Sequence, residues 1–323
     1  MKIEDSGVGT VKISDPDEIR EWMRDKKSRV LEKKVMSERE AVEKFVKNGD
    51  YIAFDLAAFI RGPFSLEREI VRQRKRGLFV AGKFSFFDCA LLVAGGCVSK
   101  IDCGFIGGGT THLRAIERGD VEVIEWSNGA ICARFLAGAL GIPFIPWRGL
   151  MGTDTFRYSA AKLVTDPFTE KKVTLLPALN PDVGLIHVNQ CDIYGNARTF
   201  GPGVTPIEVA MASKKVIIST EEIIDTEEIR KAPARTTIPY YFVDAVVEAP
   251  FGGHPGTVPG LYDVDFEHIN EFLVAERQPD TLERYLDKYI YNLESHQEYL
   301  TTIGRSRLDE LRRREIVQEG YYE

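Results

Sequence analysis

The sequence predicts an α/β protein built on a parallel sheet, and three observations carry that reading. Short apolar runs recur at 51–56, 78–81, 98–103 and 121–124, each bounded by Gly, Pro or polar residues. Runs of this length with such borders read as buried strands. Each is followed by a loop and then a helical pattern, and four strand–helix units in succession mean parallel strands with helices on the sheet faces. Two further apolar runs, 173–176 and 183–188, lie in a stretch whose exit loop holds Asn189, Gln190, Asp192 and Asn196. Such sheets present polar groups at the carboxyl ends of their strands, so 173–202 is expected to be a strand pair that delivers a polar site.

The elements can be taken in order. Residues 1–33 are charged and weakly patterned, either a mobile leader or an exposed docking helix over 19–31. Ser37 and Glu40 form a capping box for a helix with Ala41, Val42, Phe45 and Val46 on one face, ended by Asn48-Gly49. The 51–56 strand leads into a loop carrying Arg61, and Ser65 is placed to cap the next helix. The run Arg72 to Arg76 reads as a solvated face. A strand at 78–81, a loop with Ser85 and Phe86, and a helix at 87–94 follow. The 98–103 strand opens into Gly104-Phe-Ile-Gly-Gly-Gly109, with Thr110 or Thr111 capping the helix beyond. Glu125 ends the 121–124 strand, and a helix spans 129–140. Residues 143–147 are extended, 205–213 helical, 216–219 strand, 221–231 helical and 241–248 strand. A Pro/Gly-rich loop with His254 precedes a charged, helical C-terminal region. The expected division is an N-terminal extension (1–33), an α/β domain (34–278) and a C-terminal helical segment (279–323).

Composition narrows the class. A chain of 323 residues, 44% hydrophobic, buries an ample core in one large or two modest domains. No apolar run approaches the ~20 residues of a membrane helix, and the polar, acidic start lacks the order of a signal peptide. A cytoplasmic location is therefore expected. A net charge of −7, with basic residues dispersed among acidic ones, argues against nucleic acid as partner. Five scattered cysteines without a CxxC pair, and histidines without ligand spacing, point to reduced buried thiols and no metal site.

No motif here defines a chemistry alone. The 104–109 glycine loop fits neither GxGxxG nor GxxxxGK[ST], so it reads as a tight turn that allows close backbone approach, by a ligand or another chain. Glu125, at a strand end above a helix start, suits a base or nucleophile and equally a stabilising contact. His187, inside an apolar run, reads as a satisfied core histidine. His254, in a Gly/Pro loop, is better placed to meet a ligand or partner.

Several segments together do resemble a known family. Gly138-Ala-Leu-Gly-Ile-Pro-Phe-Ile-Pro146, Pro177-Ala-Leu-Asn-Pro-Asp-Val-Gly-Leu-Ile-His187 with Gly195-Asn-Ala197, Ser219-Thr-Glu-Glu-Ile223, and Val243-Asp-Ala-Val-Val-Glu-Ala-Pro-Phe-Gly-Gly-His-Pro255 occur in order. With the entry Lys34-Val-Met-Ser37 leading to Asn48-Gly-Asp-Tyr-Ile52, they resemble the alpha (A-type) chain of type I coenzyme A-transferases, nearest the glutaconate CoA-transferase branch.

The resemblance implies a three-layer α/β/α fold with an open, largely parallel sheet. It implies transfer of CoA between an acyl-CoA and a carboxylic acid, through a glutamyl-CoA intermediate whose glutamate lies on a B subunit of the same fold. A heterodimer or heterotetramer would follow, with the coenzyme A thioester as substrate and no further cofactor. In this chain no residue would be the nucleophile. Arg61, Ser85, Phe86, Asn189 and Gln190 would line the acyl site, Arg61 by holding a carboxylate in its planar fork. Glu125, Gly107, Gly108, Gly109 and His254 would lie at the subunit interface or behind the site. One departure stands out: Asp55-Leu56-Ala57 replaces the family's Gly-Gly-Phe. If Asp55 faces the site it would suit activation of water, as in related ring-opening hydrolases of CoA thioesters. A non-catalytic binding subunit is a further alternative, and a sugar-phosphate isomerase of related fold a remoter one.

Overall fold

The structure is a computed structural model and describes residues 2–55, 58–84, 87–107 and 109–318. Its strands, in chain order, are β1 (Ile3–Ser6), β2 (Tyr51–Phe54), β3 (Leu78–Gly82), β4 (Val98–Cys103), β5 (Glu122–Glu125), β6 (Phe144–Trp147), β7 (Lys162–Thr165), β8 (Lys172–Pro177), β9 (Val183–Cys191), β10 (Ala197–Arg198), β11 (Lys215–Ile223) and β12 (Ala245–Glu248). The main sheet runs β12-β11-β9-β2-β3-β4-β5, every neighbouring pair parallel, with β10 antiparallel to β9. The chain builds β2 to β5 outward in one direction. It then returns to the other side of β2 with β9, β11 and β12, so the topological switch lies between β2 and β9.

Strand residues alternate between two cores, as a sheet buried on both faces requires. Ile52, Phe54, Val80, Leu185, Ile217 and Val247 face the first, with helices Glu38–Phe45, Phe64–Arg72, Phe87–Ala94 and Thr110–Glu117. Tyr51, Ala53, Ala81, Ile186, Ile218 and Val246 face the second, with helices Asn128–Leu140 and Pro206–Ala212. This is the expected three-layer arrangement. The second core also encloses a polar cluster: Asp102 accepts from Arg134 (2.7 and 2.8 Å), the Tyr51 hydroxyl and the Trp126 indole, all buried.

The capping box at Ser37 and the helix expected over 129–140 are both present, with their physical cause visible. Ser37 and Glu40 make both bonds of the capping box. Ser127 caps helix Asn128–Leu140, which ends at Gly141 in the left-handed region (φ 66°). Other local expectations differ. The helix expected to be capped by Ser65 begins at Phe64 after Pro63, without a side-chain cap. Residues 221–223 continue β11, and the helix there is only Thr226–Lys231, capped by Asp225. The apolar runs at 173–176 and 183–188 are not a pair. The first belongs to β8 in a separate four-stranded sheet, β1-β7-β8-β6, and only the second joins the main sheet. Period-two patterning identifies strands but not their neighbours.

The two terminal segments pack into this frame. β1 pairs antiparallel with β7. The segment then crosses the amino ends of the main strands, where Lys12 meets Asp182 (2.7 Å) and buried Lys27 meets Asp244 (3.0 Å) and the Lys214 carbonyl (2.9 Å). Within it a helix spans Pro16–Asp25. At the other end Tyr285, Leu286, Tyr289, Ile290 and Tyr299 enter the first core. No helix among the described residues is long and apolar enough to cross a membrane.

Candidate functional site

An open α/β sheet binds ligands outside the carboxyl ends of its strands, at the switch point. Here that crevice, between the exits of β2 and β9, is bridged by the chain itself. Asp55, just past β2, is buried and accepts from the backbone N–H of Thr205 (2.9 Å). Arg61 is also buried, 3.6 Å from Asp55, and donates through Nη1 to the carbonyls of Phe200 (3.0 Å) and Pro202 (2.7 Å). Burial raises the Asp55 carboxyl above the ordinary aspartate range, against the pull of Thr205 N–H and Arg61. Asp55 thus faces Arg61 and the 204–205 backbone rather than an open site. Arg61, expected to hold an acyl carboxylate, commits Nη1 to the carbonyls of Phe200 and Pro202 and turns Nη2 toward Asp55.

Beside this bridge, over the ends of β9 and β11, lies a cavity of about 460 Å³. Asn189 and Gln190, both expected here, line it together with Phe200, Glu221, Glu222, Tyr262 and Arg312. Asn189 is buried and acts as a brace: its Oδ1 accepts from Phe200 N (2.9 Å) and its Nδ2 donates to the Pro259 carbonyl (3.2 Å). Gln190 donates to Glu222 on the neighbouring strand (2.8 Å). Glu221 accepts three hydrogen bonds, from the Tyr262 hydroxyl, from His187 Nε2 (2.8 Å) and from Phe251 N–H (2.7 Å). His187 is fully buried, its other ring nitrogen on Ser219 (2.8 Å), as expected of a core histidine. The partner it satisfies, however, is a carboxylate of the cavity wall.

The other expected residues lie elsewhere. Glu125 is exposed at the β5 edge, against a separate cavity of about 410 Å³ lined by Gly104, Phe105, Ile106 and Trp126. The glycine loop beside it takes a carboxylate from its own chain. Glu276 accepts from the N–H groups of Thr110 (2.8 Å) and Thr111 (3.0 Å), doing the work expected of a threonine cap. Gly109 has φ 96°, and a Cβ there would meet Glu276 Oε1 at 2.1 Å. The close approach that the glycines permit is thus intramolecular at Gly109. His254 requires correction as an interface or ligand contact. Its side chain is fully buried, between Tyr299 O–H (2.7 Å) and Asp265 (3.1 Å), and burial holds its pKa below the ordinary histidine range. Gly107 is half-buried in its loop. Ser85, Phe86 and Gly108 lie outside the described residues, as do Leu56 and Ala57.

Another cavity, of about 650 Å³, lies against the small sheet, lined by Asp5, Arg157 and Lys172 among others. None of the main sheet's strand-end loops reaches it, so the cavity over β9 and β11 is the better candidate. No group of three or more His, Cys, Asp or Glu among the described residues is placed to hold a metal, and the cysteines form no disulfide.

A layered α/β chain with polar loops gathered at its strand ends is matched over residues 35–249 by the sequence model of the coenzyme A transferase family, and the chain belongs to that family. Within it the likeness is to the A-type chain of the glutaconate branch. That chain of glutaconate CoA-transferase from Acidaminococcus fermentans is 31% identical over 86% of this chain and 94% of its own length. The crystal structure of glutaconate coenzyme A-transferase from the same organism superposes with a TM-score of 0.83 at 30% identity, covering 86% of this chain and 95% of that chain. An uncharacterized protein of Archaeoglobus fulgidus is 47% identical over 99% of this chain and 73% of its own length.

The sequence reading missed Glu221, Tyr262 and Arg312 as cavity residues. Glu221 stood in the Ser219-Thr-Glu-Glu-Ile223 motif and was available. Tyr262 and Arg312 carry no local signal, since only tertiary packing brings them to the cavity.

Proposed function

We propose that this chain is the A-type half of a two-subunit CoA-transferase of the cytoplasm, and that the cavity over β9 and β11 is its part of an acyl site completed by a B subunit. The observation that carries the reading is the state of the carboxylates at the strand ends. Asp55 is locked to Arg61 and Thr205, and Glu221 accepts three donors. Glu125 and Glu222 stand exposed, on the edge and the rim. A carboxylate nucleophile must be held free against the thioester carbonyl, and the buried carboxylates of Asp55, Asp192 and Glu221 are all spent on structure, Asp192 on the N–H groups of Tyr194, Gly195 and Asn196. The attacking glutamate then belongs to the partner. It attacks the acyl-CoA and expels the CoA thiolate to give an acyl-glutamyl anhydride. The thiolate then attacks the glutamyl carbonyl, releasing the first carboxylate and leaving a glutamyl-CoA thioester. From this the second acid takes CoA by the reverse steps, while donors in the shared site stabilise each oxyanion. Gln190 and the braced Phe200 loop supply the wall.

The same geometry weighs against a ring-opening hydrolase. Asp55 was the group suited to activating water, and it is buried away from the cavity.

The test is co-expression with a B-type partner, followed by a CoA-exchange assay between an acyl-CoA and carboxylic acids. Transfer should need both chains, and mass spectrometry should find the CoA thioester on a glutamate of the partner alone. Transfer by the isolated chain, or a CoA adduct on it, refutes the assignment.

A further inference from the structure

We propose that Arg312 selects the acid: its guanidinium receives the second carboxylate of a dicarboxylic acyl group seated in the β9–β11 cavity. The inference rests on the transfer reading above and adds a residue outside the family match, which ends at 249.

Arg312 lies on helix Arg305–Gln318, which is fastened over the 249–262 loop. Arg307 binds Asp265 through two nitrogens (2.6 and 3.0 Å), and Glu315 accepts from Gly260 N–H (2.7 Å). Leu308 and Leu311 are buried with Phe251, Val258 and Tyr262. From this fixed helix the Arg312 guanidinium lies over the Phe251 ring, 4.5 Å from its centre. Phe251 in turn stacks on Tyr262 at 4.5 Å, and the Tyr262 hydroxyl ends on Glu221. Cation–π contact of this kind fixes the plane of the guanidinium while leaving its N–H edge unused.

That edge is available. Among the described residues the one ion pair of Arg312 is with Asp309 at 3.9 Å, beyond hydrogen-bond reach, and its side chain is 56% exposed. Among the described residues Arg312 is also the one cation lining this cavity. The two lining carboxylates are already solvated by the chain, Glu221 by three donors and Glu222 by Gln190. The two carboxylates keep their charge but have donors of their own, whereas the planar fork has no acceptor within hydrogen-bond reach among the described residues and is matched to a carboxylate that it can bind through two parallel bonds. Phe200, Pro250, Pro259 and Leu261 give the cavity apolar walls for a short methylene chain, and about 460 Å³ suits a small ligand.

The experiment uses the assembled two-subunit enzyme, wild type, Arg312→Gln and Arg312→Lys, with acetyl-CoA as donor and glutarate or butyrate as acceptor. Arg312→Gln should lower kcat/KM for glutarate by about 10- to 100-fold, the loss expected on removing a charged hydrogen-bonded pair. Butyrate should stay within about threefold because it has no second carboxylate to lose. Arg312→Lys, which keeps the charge without the fork, should recover part of the loss. Equal losses on both acids, a raised KM for acetyl-CoA instead, or no change would each overturn the proposal. If the wild-type assembly transfers CoA to neither acid, the transfer reading fails, and calorimetry of glutarate binding decides the role of Arg312 separately. Binding lost in Arg312→Gln upholds it, and equal or absent binding overturns it.

Discussion

Replacing Arg61 by methionine separates a brace from a substrate contact. The side chains of Arg61 and Asp55 are each 1% exposed, so neither is rescued by water when its partner is removed. Breaking a buried pair from one side costs about 3–5 kcal/mol, because the remaining charge stays uncompensated. The carbonyls of Phe200 and Pro202 lose their donor as well, at about 1–3 kcal/mol for each group left unsatisfied. Partial relaxation of the 200–205 loop brings the sum to the order of 5 kcal/mol. In a chain of this size that is a fall in Tm on the order of 10 °C. The loss should shrink in mild acid. Burial already raises the Asp55 carboxyl in the folded state, and removing the arginine raises it further. The folded variant then binds a proton that the unfolded chain releases, so its stability falls as pH rises through the shifted value. Urea and thermal unfolding of Arg61→Met at pH 5 and pH 8 measure this. The Asp55→Asn, Arg61→Met double variant should recover about 2 kcal/mol relative to the sum of the single changes. A Tm within about 2 °C of wild type, together with a raised KM for the acid, would show that Arg61 binds substrate and that the bridge is incidental.

Two further changes probe how the C-terminal segment is held. Gly109→Ala places a Cβ on Glu276 Oε1 at a residue with φ 96°, so the carboxylate must leave the N–H groups of Thr110 and Thr111. We expect a loss of about 2–4 kcal/mol in urea unfolding and faster proteolysis beyond residue 276. His254, His268 and His296 are buried near Arg68 with pKa values below the ordinary 6.5, His296 at about 3, in each case mainly through burial. The unfolded chain takes up protons below pH 6.5 and the folded chain does not, so stability is level above that pH and falls below it. The slope is at most about 1.4 kcal/mol per pH unit for each histidine. His296→Gln should flatten the curve between pH 6.5 and 4, and an unchanged slope would show that His296 is not held neutral.

Much of the fold could be read from the sequence because its signals are local. Apolar runs of strand length and a capping box at Ser37 act over a few residues, and each marks its element. What failed was long-range. Nothing in the run Lys172–Pro177 says that its neighbours are β6 and β7 rather than β9. The Asp102–Arg134 cluster joins residues 32 apart in sequence, and no spacing rule covers it. The same limit applies at the site. Asn189 and Gln190, expected in the exit loop, are instead among the last residues of β9, close to the expected place because strand ends are local features. For Arg61 the local sequence gives its loop but not the carbonyls of Phe200 and Pro202, about 140 residues on, that its Nη1 meets in the fold.

The residues picked for contact and the ones that serve as braces differ for a physical reason. A polar side chain at a strand exit can point outward to a ligand or backward to a loop, and sequence position does not distinguish the two. Burial does. Asn189 and Arg61 are nearly inaccessible, and both hold Phe200, one by its N–H and the other by its carbonyl. Phe200 lines the cavity, so two buried polar groups fix one wall residue from both sides. Rigid support of this kind is what a half-site needs if its reacting glutamate arrives on another chain, because misplacement of the wall by about 1 Å would forfeit much of the catalytic alignment. The exposed groups are then the ones left to meet substrate. Among the described polar residues lining the cavity they are the exposed Glu222 and Arg312 and the half-buried Gln190, and only Arg312 carries positive charge. A variant of a brace should therefore lower stability and turnover for every acid alike, whereas a variant of Arg312 should change which acid is used.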